Sequence, residues 1–437
     1  MAICIRLTSC WVSARQELLE KIAPPMPKLS KIMLLAVSVV LVVAVLIGAR
    51  STGVSAATEP QADAYRQINV YSEVLRHIQS DYVEDPNVGA VTNGALRGLL
   101  ESLDADSSYL TPADYKAYKA DQAKNTGKAQ VGINVSKRYG YATVISVVPG
   151  SPADKAGLVD GDILEAIAGR DTRDLSLAMI EMMLAGTPGS ELTVGVVRPR
   201  KAVPDKLTMT RTMVTQAPLA ETLYENSTIL YLKPAVLDKE HVASLEGRLR
   251  AQEKYGSKKI LLDLRDVSAG DMAEATRLAN FFLKAGTIAT LEGQKVEKVV
   301  YMADPAKAID ATSPMIVIVN RGTAGPGELV AAALLDDKRA QLVGEKTFGE
   351  GAQQKTFELP DGAALILSVA KYASPSGKKL QDDAVTPDVL VAGNFEEPNS
   401  DDEENDGAST TNVPAKPAVQ VDDQLTKALD LLKVKTT

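Results

Sequence analysis

Met315-Ile316-Val317-Ile318-Val319-Asn320-Arg321-Gly322-Thr323-Ala324-Gly325-Pro326-Gly327-Glu328 reads as an apolar strand, a glycine-rich turn and the opening of a helix. The helix is predicted over Gly327–Leu335, and proline is comfortable in its first turn. The same alternation runs through residues 212–393. Apolar strands are predicted at Ile229–Leu232, Lys259–Leu264, Met315–Val319 and Leu342–Val343. Helices are predicted at Lys239–Gln252, Met272–Leu283 and Gly327–Leu335. That order implies an α/β core with a mixed or parallel sheet and crossover helices. Pro360-Asp361-Gly362 then reads as a hairpin turn into a strand at Leu365–Tyr372.

Upstream the character changes. Over residues 127–200 short strands are expected at Val131–Val135, Ala142–Val148 and Leu192–Val197, with a helix at Leu175–Leu184. Residues 67–125 read as a helical domain. Val70, Val74, Ile78 and Tyr82 share one helix face, and Ala95, Leu96, Leu99, Leu100 and Leu103 follow on a second helix. Asp85-Pro86-Asn87 breaks the two, and Thr111-Pro112 looks like a helix cap with proline at the first helical position. Residues 57–66 read as a linker. Seven of the eleven residues from Glu396 to Asp406 are acidic, so residues 394–422 read as a disordered acidic tether. A closing helix is expected at 423–435.

A chain of 437 residues has room for two or three domains. Its net charge of −8 and aromatic content of 4% argue against nucleic acid, which needs clustered cations and stacking platforms. The two cysteines, Cys4 and Cys10, sit near the N-terminus, so the main body holds no disulfide. Only His77 and His241 remain as imidazoles, which argues against a Cys/His zinc site and a Ser-His-Asp triad; no cofactor or metal is expected. Ile32–Ala49 is eighteen residues without a charge, preceded by Lys28 and Lys31. That length falls between a signal-peptide core and a spanning helix. Residues 1–57 are therefore read as an N-terminal extension plus a signal peptide, with Val54-Ser55-Ala56 as cleavage site, or a membrane anchor. Either way the remainder is expected in a bacterial envelope, periplasmic or otherwise extracytoplasmic.

Ser151-Pro152-Ala153-Asp154-Lys155-Ala156-Gly157-Leu158, followed by Asp160-Gly161-Asp162-Ile163, resembles a PDZ domain. Such a domain adds an extended peptide to an open sheet edge and seats the terminal carboxylate in backbone N–H groups. The matching loop is Gln130-Val131-Gly132-Ile133, where glycine lets the backbone approach a ligand closely. The alternative is that Gly132 merely serves a turn.

Ser102-Leu103-Asp104, Thr347-Phe348-Gly349-Glu350-Gly351, Ser374-Pro375-Ser376-Gly377 and Thr386-Pro387-Asp388-Val389, with the opening segment, resemble the carboxyl-terminal processing (tail-specific) serine proteases. The resemblance covers about residues 67–435. It implies a mixed-sheet protease core of the ClpP/crotonase-like type, an inserted PDZ domain and an N-terminal helical segment. It also implies a serine nucleophile at a helix start, a lysine base and an oxyanion turn. In this sequence the nucleophile position is Gly325 and the base position is Glu350. The supporting Gln354 is kept, as are Glu328, Asp336 and Glu345. The family's D-L-R-x-N-P-G-G turn stands as Asp263-Leu264-Arg265-Asp266-Val267-Ser268-Ala269-Gly270, with Ala269 and Gly270 at its end. In S-L-D-P-H-S the proline and histidine are replaced by Ala105 and Asp106. The reading is therefore a family member without a working dyad, binding C-terminal segments of exported polypeptides, with an active relative as a further partner. Two alternatives stay open. One is a tail-specific endopeptidase with a displaced nucleophile such as Thr323, flanked by Lys346 and Lys355 about the base position; the other is an envelope scaffold that binds no peptide.

Overall fold

A computed structural model describes residues 33, 36–40, 60–122, 128–138, 140–198, 203–255, 258–393 and 422–434. The expectations placed on Cys4, Cys10, most of Ile32–Ala49 and the acidic stretch after Glu396 fall outside those residues. Among the described residues no helix is long and apolar enough to cross a membrane. The chain divides into Met1–Val88 and Gly89–Thr437.

The first unit contributes α1 (Pro60–Asp81). A linker was expected over 57–66, but the helix already begins at Pro60. Proline at a first helical position forgoes an N–H that would be unpaired anyway, and Ala62 and Ala64 favour helix strongly. His77 is exposed on this helix and pairs with Asp81.

In the second unit α2 (Val88–Glu101) leads to β1 (Ser108–Leu110) and α3 (Pro112–Gln122). Thr111 caps α3: its Oγ1 accepts from the Asp114 N–H at 3.2 Å and donates to the Asp114 carboxylate at 2.8 Å. Next come β2 (Ile133–Arg138), β3 (Tyr141–Val147), α4 (Pro152–Lys155), β4 (Ile163–Ile167), β5 (Arg170–Asp171), α5 (Leu177–Leu184), β6 (Glu191–Val197) and β7 (Asp205–Thr210). They form an antiparallel sheet in the order β2-β3-β4-β6-β7. Alternate residues of β6 (Leu192, Val194 and Val196) enter its core, as the strand period of two requires. Strand β7 was not predicted, although Leu207 and Met209 alternate with polar residues; it is short, and it lies at the sheet's edge.

The large region supplies β8 (Ala220–Tyr224), β9 (Ile229–Lys233), α6 (Lys239–Tyr255), β10 (Lys259–Asp263), α7 (Met272–Asn280), β11 (Thr287–Glu292), β12 (Val299–Met302) and β13 (Met315–Val319). It continues with α8 (Pro326–Asp336), β14 (Gln341–Gly344), β15 (Ala352–Glu358), β16 (Ala364–Ala373), α9 (Leu380–Asp383), β17 (Val389–Leu390) and α10 (Asp423–Val434). One sheet runs β17-β14-β13-β10-β9-β8, parallel except where β8 joins. All five residues of β13 are buried, because both sheet faces are covered. Leu262, Val317 and Val319 face the helices α6, α7 and α8. Leu261, Ile316 and Ile318 face α10, where Ala428 and Leu432 are fully buried. Leu432 alone contributes about 1.5–3 kcal/mol by leaving water.

Another sheet pairs β15 with β16, and β16 with β1 and β11. Its strands β11, β12 and β15 escaped sequence reading, since β12 and β15 are largely exposed and β15 is mostly polar. Helix α7 stops three residues early. The Asn280 amide donates to the carbonyls of Leu283 and Asp304, and the chain tightens into i to i−3 bonds at Phe281 and Phe282.

Candidate functional site

Three turns meet at the C-terminal ends of β10, β13 and β14. The Ala324 N–H donates to the Val267 carbonyl at 3.1 Å, and the Phe348 N–H to the Thr323 carbonyl at 3.0 Å. The Asp263–Gly270, Asn320–Glu328 and Thr347–Glu350 segments are thereby joined.

Gly325 caps α8 with φ 50° and ψ −109°, a region open mainly to glycine. The space beside it is free: an added Cβ would meet only Met272 Cε, at 3.8 Å. Pro326 follows at the first helical position and has no N–H. Glu328, fully buried, holds the arrangement together. Its carboxylate accepts from the N–H groups of Gly325 (3.0 Å), Gly349 (2.8 Å) and Glu350 (2.7 Å), and from the Thr347 hydroxyl. Burial pushes its carboxyl up to about 7 against the four donors.

Glu350 is shifted by burial and by other carboxyls. Burial first, then Asp106, Glu328 and Glu181, push its carboxyl up to about 8. Asp106 is also raised, chiefly by burial. The Gln354 amide donates to the Asp106 backbone carbonyl at 2.9 Å. Lys346 is exposed, and Lys355 lies over the Phe357 ring, 5.4 Å from its centroid. Asp336 accepts from the Ser376 N–H, and the Glu345 N–H donates to Val319; both serve loops. Thr323 is buried, and its hydroxyl donates to the Leu264 carbonyl at 2.8 Å while accepting from the Asn320 N–H at 3.1 Å. Ala269 and Gly270 form a turn against Leu237, whose carbonyl would lie 2.4 Å from any Gly270 Cβ.

A folded-state carboxyl raised from 4.5 to about 8 binds its proton more tightly than the unfolded chain does. Stability is then lost as pH rises between those two values. E350Q is expected to gain on the order of 4–5 kcal/mol over the native chain at pH 9 and nothing at pH 4. Urea unfolding at both values checks this; an equal gain at each pH would show that Glu350 is not the titrating group.

The loop Gln130-Val131-Gly132-Ile133 edges β2. Gly132 has φ 87°, and an added Cβ would sit 2.3 Å from Ser151 Cβ. Gln130 is paired with Thr212. Among the described residues neither the Val131 nor the Gly132 N–H has an acceptor. A cavity of about 350 Å³ runs from this loop past α5 to Ser268 and Glu350. The small sheet is tied to the turns: Asn134 donates to Ser268 at 2.7 Å, Ser146 and Ser268 share a hydrogen bond at 2.7 Å, and Arg321 pairs with Asp160 at 2.6 Å.

Sequence reading missed two site residues. Glu181 is the lone charge on the apolar helix α5, a signal that was there to find. Asp106 was seen only as a replaced histidine, and its approach to Glu350 needs the fold.

These features define a PDZ module joined to a protease core. Residues 143–198 match the PDZ domain and residues 228–391 match peptidase family S41. The chain belongs to the carboxyl-terminal processing protease family. It is 31% identical over 300 residues to the carboxyl-terminal-processing protease of Picosynechococcus, covering 68% of this chain and 72% of the relative. It is 30% identical over 330 residues to chloroplastic carboxyl-terminal-processing peptidase 2 of Arabidopsis thaliana, covering 71% of this chain and 62% of the relative's length. The solved photosystem II D1 C-terminal processing protease superposes with a TM-score of 0.61 at 25% identity, covering 74% of this chain and 92% of that one.

Proposed function

We propose that this chain is a non-cleaving member of its family that holds polypeptide C-termini in the groove at Gly132. One observation carries the reading: the nucleophile position is a glycine and the next residue is a proline. The first lacks a hydroxyl. The second lacks the N–H that follows a nucleophile at such a turn and stabilises an oxyanion. Glu350 adds a carboxyl where the family's base would be an amine. Thr323 is a poor substitute, since its hydroxyl is buried and committed to a backbone carbonyl. The PDZ fold, the glycine loop and its two unpaired N–H groups support peptide capture, with the terminal carboxylate as the anchoring group. The uncharged N-terminal run supports an extracytoplasmic location, with substrates among exported polypeptides.

Calorimetry with a C-terminal peptide as free acid and as amide tests the anchor. The amide is expected to bind about tenfold or more weakly, because hydrogen bonds to a charged group are lost. Equal binding of both forms, or steady cleavage of the free acid, would overturn the reading.

A further inference from the structure

We propose that the groove selects C-terminal peptides carrying a lysine or arginine upstream of the terminal residue, and that Glu181 is the residue that reads it. The inference rests on the peptide-binding reading above and adds the chemistry of the ligand.

Two cavities, of about 350 and about 240 Å³, adjoin along α5 and share Glu181 and Glu350. The second also takes in Asp106. The walls of both hold no lysine, arginine or histidine. Lys371 acts on Asp106 but lines neither space. The three carboxyl groups feel one another: Asp106 acts on Glu181, and both act on Glu350. Desolvation in the cleft, then Asp106, pushes the Glu181 carboxyl up, although the residue keeps solvent contact. A cation entering between these carboxyls favours their charged forms and is held by them, so the end of the groove suits a cationic group.

Geometry selects the kind of cation. Among the described residues no three acidic, histidine or cysteine side chains are gathered closely enough to hold a metal ion. Carboxylates spread along a channel suit a long flexible side chain instead, which can place its head group between them. The position follows from strand geometry. With the terminal carboxylate at Val131 and Gly132, alternate peptide side chains face the groove helix. The third and fifth residues from the end therefore pass α5, where Glu181 sits.

The test uses free-acid peptides of one apolar C-terminus, with Lys, Gln or Glu at the third or the fifth residue from the end. They are titrated into the full chain and into E181Q and E181K. At one of the two positions the Lys peptide is expected to bind the native chain about fivefold more tightly than the Gln peptide. The ratio should shrink at high salt. In E181Q it should approach one, and in E181K the Glu peptide should become the tighter ligand. If no free-acid peptide binds, the peptide-binding reading fails and this inference falls with it. If Lys and Gln peptides bind equally at both positions, peptide binding stands and the inference is wrong. A Lys preference untouched in E181Q would remove Glu181 from the role.

Discussion

The variant carrying G325S, P326A and E350K together is expected to cleave casein and to take up a fluorophosphonate label, while the native chain does neither. Each substitution supplies a separate chemical part. G325S adds the hydroxyl, in a space where its Cβ meets Met272 at an ordinary 3.8 Å. The backbone there is unfavourable for a side chain, at a cost of about 1–3 kcal/mol, and the Glu328 bond to the residue 325 N–H helps to hold it. P326A restores an N–H after the nucleophile, and one oxyanion donor is worth about 10²–10³ in rate. E350K supplies a base, worth about 10²–10⁴. The pair G325S/E350K without P326A should therefore run about a hundredfold slower than the triple variant.

The base also carries a pH signature. Asp106, Glu181 and Glu328 act on position 350. Carboxylates favour the ammonium form of an installed lysine, so its proton leaves late. The rate should climb toward alkaline pH, and adding D106N should move that climb to lower pH. A folded triple variant no faster than the native chain would mean that these three positions do not account for the loss. Native labelling at Thr323 would overturn the non-cleaving reading itself.

Removing the Glu328 carboxylate is expected to cost about 3–5 kcal/mol of stability. In E328A, three backbone N–H groups and the Thr347 hydroxyl lose their acceptor at a largely buried turn. E328Q keeps one oxygen and turns the other into a donor facing N–H groups, so about 1–3 kcal/mol should be lost. Urea unfolding at pH 8, above the Glu328 titration, ranks the two. A loss below about 1 kcal/mol in E328A would mean that solvent or a rearranged turn replaces the carboxylate.

The sequence and the structure agree best where burial is complete. Strand β13 matches its expected ends at Met315 and Val319 because both of its faces are covered, so its apolar run has no competing reading. Strand β15 was invisible because Gln353, Gln354, Lys355 and Thr356 face solvent and its pairing with β16 supplies the order. The site divides in the same way. Gly325 and Glu350 were placed by local motif. The task of Glu328 was not, since its partners at 349 and 350 belong to another turn. The Asp106, Glu181 and Glu350 cluster draws on three distant stretches; the lone charge of α5 marks Glu181, but only the fold joins it to the other two.

The donors that Glu328 gathers at positions 325, 349 and 350 are all main-chain atoms. A main-chain donor is blind to the side chain on its own residue, proline excepted. The socket therefore keeps its donors whatever stands at 325 or 350, proline excepted, and an edit there is felt in the backbone strain at 325 or the burial at 350 rather than in the bonds to Glu328. A chain built this way can lose a chemistry, or be handed a different one, one substitution at a time while it goes on folding.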